Sequence, residues 1–270
     1  MIRNPIGFTR VLALGCLLAA APVLAAPGDP LGGDDTGCAP STKLGLSCAK
    51  KVHNALWKLR VKVIKCHLTQ ADHAFKNGQG EPGFSNAEEN CEIGPSNTSA
   101  KNKFDARLAA LAANGCDATV IANAAAAGDV IVGDQTVVGS MDNLNASFFC
   151  DATSGNLIDP GGDDGGYIPA TPENFKCSAL VAKSWAKLDG YLYKCHAKLA
   201  ASVFTDRVFD EETECEDRYA PRIDAYIQKY ITIGYCPPCL ADPPGALGLT
   251  AALRADSDAN LDDVYICPGP

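Results

Sequence analysis

The sequence predicts an all-α protein with two tandem, disulfide-stapled helical hairpin units, each carrying an extra C-terminal helical segment. Three observations lead to this prediction. A segment framed by two cysteines occurs twice, apolar residues within both copies recur at helical spacing, and an even number of cysteines follows an export signal.

The N-terminus has the three parts of a secretory signal peptide. Arg3 and Arg10 are basic, residues 11–21 are apolar, and small residues end at Ala26. The apolar run is too short to cross a bilayer. We therefore expect a signal peptide over 1–26 and a secreted or periplasmic protein without a membrane span. Cys16, after Gly15, leaves a lipid-anchored alternative open.

The cysteine count and the charge narrow the possible classes of function. Twelve of the 13 cysteines follow residue 26, and an even number in an exported chain favours disulfides over metal thiolates. Without Arg3 and Arg10 the net charge falls from −9 to −11. Because nucleic-acid binding needs clustered cations, no nucleic-acid partner is expected.

Two segments match each other, Cys48 to His67 and Cys177 to His196. In both, two cysteines lie 18 positions apart and the segment ends in Lys-Cys-His. Apolar residues follow the first cysteine at offsets 4, 8, 11 and 15, which predicts an amphipathic helix in each copy. These residues are Val52, Leu56, Leu59 and Val63 in the first copy and Val181, Trp185, Leu188 and Leu192 in the second.

A second helix follows in each copy. It is aligned by Gly115 and Gly234, both of which are suited to cap a helix C-terminus. The copies end in matching stretches, 143–150 and 260–267, each closed by a cysteine. We place the first unit at 38–151 and the second at 172–267. The glycine-rich and acidic stretch 152–171 is expected to be an exposed linker between two separate bodies.

Helix geometry predicts how the cysteines pair. Cys48 and Cys66 lie about 27 Å apart on one helix, whereas a disulfide needs α-carbons within about 7 Å. Each must therefore bond to an antiparallel partner helix. This gives nested pairs in each hairpin and leaves four cysteines to pair within their own units. The predicted disulfides are Cys66–Cys91, Cys48–Cys116, Cys195–Cys215, Cys177–Cys236, Cys38–Cys150 and Cys239–Cys267.

The order of cysteine, helix, Lys-Cys-His, further cysteine, Lys-x-Phe helix and Gly-Cys resembles a cysteine-rich helical repeat of predicted secreted bacterial proteins. The resemblance covers most of both units. That repeat has no established activity. The resemblance implies architecture and export, and it implies no catalytic residue.

Cys66-His67 and Cys195-His196 leave a c-type haem alternative open. The first cysteine of the usual attachment sequence is replaced by Val63 and by Leu192. We therefore interpret each histidine as half-exposed beside a structural disulfide. Cys236-Pro237-Pro238-Cys239 has redox spacing, but two structural cysteines bonded elsewhere are the favoured interpretation.

Two acidic segments could bind cations. Residues 256–262 place oxygen side chains at alternate positions of a calcium loop, but Leu261 replaces its glycine and Cys267 its terminal glutamate. A helix start or solvated loop is favoured there, although calcium binding stays open. The run from Asp210 to Asp217 is interpreted as a solvated connection.

No nucleophile with a matching base is recognisable, so the sequence predicts no enzyme, no catalytic residue, no cofactor and no metal ligand. The favoured function is an exported structural or binding module of unknown ligand held by six disulfides. One alternative is a saposin-like protein that binds lipid or another apolar small molecule. The second is the atypical haem protein. The partner, a protein or an apolar ligand, is not specified by the sequence.

Overall fold

The computed structural model describes residues 26–78 and 85–267 and confirms the all-α prediction. The predicted signal peptide and Cys16 lie outside the described residues, apart from Ala26. A small antiparallel ribbon, β1 (Pro30–Gly32) and β2 (Asp35–Cys38), precedes the helices. The first-unit helices are α1 (Lys43–Asn77), α2 (Ser85–Glu92), α3 (Ala100–Ala113), α4 (Ala118–Ile131) and α5 (Met141–Phe148). The second unit has α6 (Pro172–Phe204), α7 (Asp217–Thr232), α8 (Pro238–Ala241) and α9 (Gly245–Ala259), with a π-helical turn at Glu212–Glu216 before α7.

The two long helices α1 and α6 begin in the same way. The hydroxyl oxygen of Thr42 accepts a hydrogen bond from the Gly45 amide (3.0 Å), and that of Thr171 accepts one from the Asn174 amide (3.1 Å). These threonines satisfy amides that a helix N-terminus leaves unpaired. The apolar positions predicted from the repeat are buried in both helices.

Four disulfides join the cysteines that the hairpin geometry pairs, and α-carbons in these bonds are 5.1–5.9 Å apart. Each long helix is therefore tied at two points, near its N-terminus and again 18 residues further on, to the segments that follow it. The four are Cys48–Cys116, Cys66–Cys91, Cys177–Cys236 and Cys195–Cys215.

The other two disulfides differ from the prediction. The structure joins Cys38 to Cys267 and Cys150 to Cys239, so both bonds cross between the units. The prediction kept each cysteine in its own unit. It failed because the segment before each long helix packs on the C-terminal segment of the other unit. The Cys38 amide, for example, donates to the carbonyl of Tyr265 (2.7 Å).

The predicted exposed linker, 152–171, is folded and partly buried, which corrects that expectation. Ile158 and Ile168 belong to the hydrophobic core. The Ile158 amide donates to the Gly166 carbonyl (3.1 Å), and the Tyr167 amide donates to the Phe149 carbonyl (2.7 Å). The glycines and aspartates of this stretch form tight turns against the first unit.

The two units pack on each other through α1 and α6, so the expectation of two separate bodies is corrected as well. Trp57 Nε1 of α1 donates to the Ala186 carbonyl of α6 (3.4 Å), and Arg60 pairs with the buried Asp189 (3.2 Å). Buried side chains of both units form one continuous core. Among the helices of the described residues, none is both long and apolar enough to span a bilayer.

Candidate metal centres

His67 and His196 are buried, with 2% and 0% of their surfaces exposed, which corrects the interpretation of half-exposed histidines. Each follows a cysteine on the inner face of its long helix, α1 or α6. The adjacent disulfides hold a second acidic element against that face. The two imidazoles therefore occupy equivalent positions in the repeat.

The His67 site consists of one imidazole nitrogen and four carboxylates. The nearest is Glu92, whose Oε1 is 2.7 Å from His67 Nε2. The side chains of the five residues are almost completely enclosed, with at most 6% exposed. The other oxygens around Nε2 belong to Asp142 (3.1 Å), Asp164 (3.2 Å) and Glu88 (3.5 Å).

The His196 site repeats this arrangement in the second unit. Asp258 Oδ1 lies 3.1 Å from His196 Nε2 and is the nearest oxygen. The remaining three carboxylates are Glu216 (3.3 Å), Asp35 (3.4 Å) and Glu211 (3.9 Å). Glu211 and Glu216 are buried, so the run 210–217 is not the solvated connection that the sequence predicted.

The two glutamates of each site come from the element that carries the partner cysteine of the long helix. In α2, Glu88 and Glu92 are four residues apart and share a helix face. Glu211 and Glu216 are five residues apart, and the intervening turn is π-helical. Because a π-helix has i→i+5 spacing, the extra residue leaves both carboxylates on the same side.

One aspartate of each site comes from the C-terminal part of the same unit, Asp142 at the start of α5 and Asp258 near the end of α9. Asp142 precedes Phe149 by the same seven residues as Asp258 precedes Tyr265. In the structure Phe149 therefore corresponds to Tyr265. Aligning Cys150 with Cys267 instead pairs Phe149 with Ile266, which is a shift of one residue. Asp258 belongs to the segment predicted as a possible calcium loop, but it lies in a helix and faces His196.

The fourth carboxylate of each site comes from the other unit. Asp35 and Asp164 each precede the first cysteine of their own long helix by 13 residues, within the repeated sequence Gly-Gly-Asp-Asp-x-Gly. Asp164, just before the second unit, faces His67 of the first. Asp35, just before the first unit, faces His196 of the second. The two units thus exchange one ligand-bearing loop.

Glycines allow these exchanged loops to approach the other unit. Gly37 and Gly166 have φ of +88° and +113°, a region that side chains disfavour. A Cβ at Gly37 would lie 2.7 Å from the Tyr265 carbonyl oxygen, and one at Gly166 would lie 3.0 Å from Phe149 Cβ. The glycine of each Asp-x-Gly sequence is therefore required to place the aspartate two residues before it.

The charges around each histidine are not balanced by the protein. An imidazole Nε2–H can donate one hydrogen bond, yet four carboxylates surround it. With all four carboxylates ionised, a protonated histidine would still leave three net negative charges in the His67 site and, with Arg254 beside Glu216, two in the His196 site. Burying unpaired charge is costly. Both side-chain oxygens of Asp164 and one oxygen each of five further carboxylates of these sites lack a hydrogen-bond partner within the described chain. Those five are Asp35, Glu88, Glu92, Glu211 and Glu216.

The pKa shifts have the same origin. Burial raises the pKa of Asp35 to about 7 and, together with Glu216, that of Glu211 to about 9. Burial also raises the pKa of Asp164. Although burial opposes a charged imidazole, Asp258 and Glu216 raise the pKa of His196 to about 10. A cation at each site would supply the positive charge that these groups lack.

The spacing of the oxygens fits a coordination shell. Metal–ligand bonds of about 2.1 Å place neighbouring ligand atoms about 3.0 Å apart in an octahedron. The nearest three oxygens lie 2.7–3.2 Å from Nε2 in the His67 site and 3.1–3.4 Å in the His196 site. One nitrogen and several carboxylate oxygens suit first-row ions such as Mn²⁺, Fe²⁺ or Zn²⁺.

Outer contacts orient the ligands of the His196 site. Arg254 Nε donates to Glu216 Oε2 (3.1 Å), and its other arm contacts Glu212. Ser257 Oγ lies 3.4 Å from His196 Nδ1, which leaves Nε2 to face the carboxylates. Such contacts commonly fix the orientation of metal ligands. Thr36 beside Asp35 also donates to the Asp258 carbonyl (3.0 Å) and so ties two ligand segments together.

The haem alternative fails on the cysteines, because the sulfurs of Cys66 and Cys195 are both in disulfides. Cys236 and Cys239 are likewise bonded to separate partners, as the favoured interpretation of that pair requires.

Comparison of the chain with protein-family models, with curated proteins and with solved structures gives no significant match.

Proposed function

We propose that this protein is an exported metal-binding module that holds first-row transition-metal ions at the His67 site and the His196 site. The observation that carries the proposal is the enclosure of one imidazole nitrogen by four buried carboxylates, twice in one chain. A divalent cation at each site would offset two of the four carboxylate charges that surround the histidine. The imidazole favours a first-row ion over Ca²⁺ and Mg²⁺, which prefer oxygen ligands.

The burial of the sites supports binding in preference to catalysis. The His196 side chain has no exposed surface, and that of Glu216 has none either. A metal with an open, solvent-facing position is the usual requirement for metal-dependent hydrolysis. The six disulfides fit an oxidising, extracytoplasmic compartment, where such a protein would retain or supply metal ions.

The proposal is tested by metal titration of disulfide-intact protein that has been stripped with a chelator. Mn²⁺, Zn²⁺ and Ca²⁺ are titrated separately by calorimetry, and the ions retained after dialysis are counted. We expect tight binding of Mn²⁺ and Zn²⁺ and weaker binding of Ca²⁺. Absence of any binding tighter than millimolar would overturn the proposal.

Matched variants assign the ions to their sites. Glu216→Gln removes one charge at the His196 site and is expected to remove the ion from that site alone. The control is Glu214→Gln, which changes an exposed glutamate of the same π-helical turn and is expected to leave binding unchanged. Equal losses in the two variants would indicate a general charge effect and would contradict the assignment.

A further inference from the structure

The His67 site has an acidic extension formed by three carboxylates. Glu88, Glu89 and Asp163 each offer a carboxylate oxygen, and these oxygens all lie within 4.8 Å of one another. Glu88 also belongs to the His67 site, since its Oε1 is 3.5 Å from His67 Nε2. The extension therefore shares one ligand with the His67 site.

Glu88, the residue shared by the extension and the His67 site, has a buried carboxylate oxygen that faces His67 Nε2 without a hydrogen bond. It is 5% exposed, and its Oε1 has no hydrogen-bond partner among the described residues. Glu89 and Asp163 are only partly buried and lie on the solvent side of it. Across the described part of the chain, no lysine or arginine forms an ion pair with any of these three carboxylates.

The second unit shows what occupies the equivalent place. Glu212 follows Glu211 as Glu89 follows Glu88, so Glu212 is the counterpart of Glu89. The guanidinium of Arg254 contacts Glu212 and Glu216 and neutralises that side of the His196 site. Arg254 lies four residues before Asp258, whereas the residue four before Asp142 is the exposed Val138.

We infer that the His67 site holds two metal ions, the second bound by Glu88, Glu89 and Asp163 in the place that Arg254 takes in the other unit. This rests on the proposed function, because Glu88 bridges to the ion at His67. Two ions that share a carboxylate typically lie about 3.5–4 Å apart. The protein would then bind three ions, two in the first unit and one in the second.

Native mass spectrometry of the full, disulfide-intact chain loaded with Zn²⁺ tests this directly. We expect three bound ions in the wild-type protein and two in the double variant Glu89→Gln, Asp163→Asn. The control is Asp34→Asn, at the exposed counterpart of Asp163 in the repeat, and it should keep three ions. Folding of each variant is checked by its circular dichroism spectrum and its six intact disulfides.

The outcomes separate this inference from the proposed function. Two ions in the wild-type protein, falling to one in Glu216→Gln, would overturn the paired site and leave the proposed function standing. Three ions in both the wild-type protein and the double variant would place the third ion elsewhere and overturn the inference. No bound ion in the wild-type protein would overturn both.

Discussion

Gly190 of α6 lies against Trp57 of α1, where the two units meet. A Cβ at Gly190 would lie 2.7 Å from atoms of the Trp57 indole, well inside normal contact distance. The nearby pair of Arg60 with the buried Asp189 reinforces the same contact. One small residue therefore permits the close packing of the long helices.

We predict that Gly190→Ala lowers the free energy of unfolding by about 1–3 kcal/mol, the usual cost of overfilling a packed interface. Urea denaturation of metal-free protein measures this. The companion variant Gly190→Ala, Trp57→Leu removes the ring that the new methyl group would strike. The loss in free energy of unfolding of this double variant should be smaller than the sum of the losses in the two single variants. A loss equal to that sum would contradict the packing argument.

Single residues also explain why the sequence did not predict the proposed metal ligands. Acidic side chains are mostly solvated, so the run that contains Glu211 and Glu216 was interpreted as a solvated connection. One signal was present. Glu92 and Glu216 each directly follow the cysteine that bonds to the Cys-His pair, and this Cys-Glu repetition could have indicated paired function.

At the scale of elements, the π-helical turn at Glu212–Glu216 adjusts the spacing of two proposed ligands, Glu211 and Glu216. The first unit achieves the same arrangement with ordinary helical spacing in α2. An inserted residue that keeps both glutamates facing the histidine is a common origin of such turns at functional sites.

Deletion of Thr213 should therefore preserve metal binding at the His196 site, because it restores the four-residue spacing of α2 between Glu211 and Glu216. Deletion of the exposed Asn90 should instead abolish binding at the His67 site, because it shortens the spacing of Glu88 and Glu92 from four positions to three. Zn²⁺ titration of both variants measures this. Loss of the His196 ion on deletion of Thr213 would show that the turn has a role beyond spacing.

The elements differ in how far the sequence predicted them. The hairpins and their four disulfides follow from local periodicity and from the fixed rise of a helix, so they were predictable. The pairing of Cys38 and Cys150 depends on which unit each flanking segment packs against. That is a long-range property, and helical spacing contains no information about it.

At the scale of the whole molecule, the two units exchange the loops that carry Asp35 and Asp164. The repeated Gly-Gly-Asp-Asp-x-Gly sequence was visible before folding, but its glycines and acidic residues are also typical of linkers. The disulfide between Cys38 and Cys267 covalently fixes one of these exchanges. Each proposed metal site is thereby complete only when both units are in place.

The exchange predicts which site each aspartate serves. In a Glu92→Gln background, which disables the His67 site, Asp35→Asn should weaken the remaining Mn²⁺ binding by about ten-fold or more. In a Glu216→Gln background, which disables the His196 site, Asp35→Asn should have no comparable effect. Calorimetric titration measures both, with Asp34→Asn as the neighbouring control. The opposite pattern would place Asp35 at the site of its own unit.

The most direct test of the account is the anomalous scattering of crystals grown with Zn²⁺ or Mn²⁺. We expect an anomalous peak at about 2.0–2.3 Å from Nε2 of His67 and another at the same distance from Nε2 of His196. Oxygens of Asp164 and Asp35, each from the other unit, should complete the two coordination shells. The absence of a peak at both histidines, with each imidazole hydrogen-bonded to a carboxylate alone, would contradict the central claim.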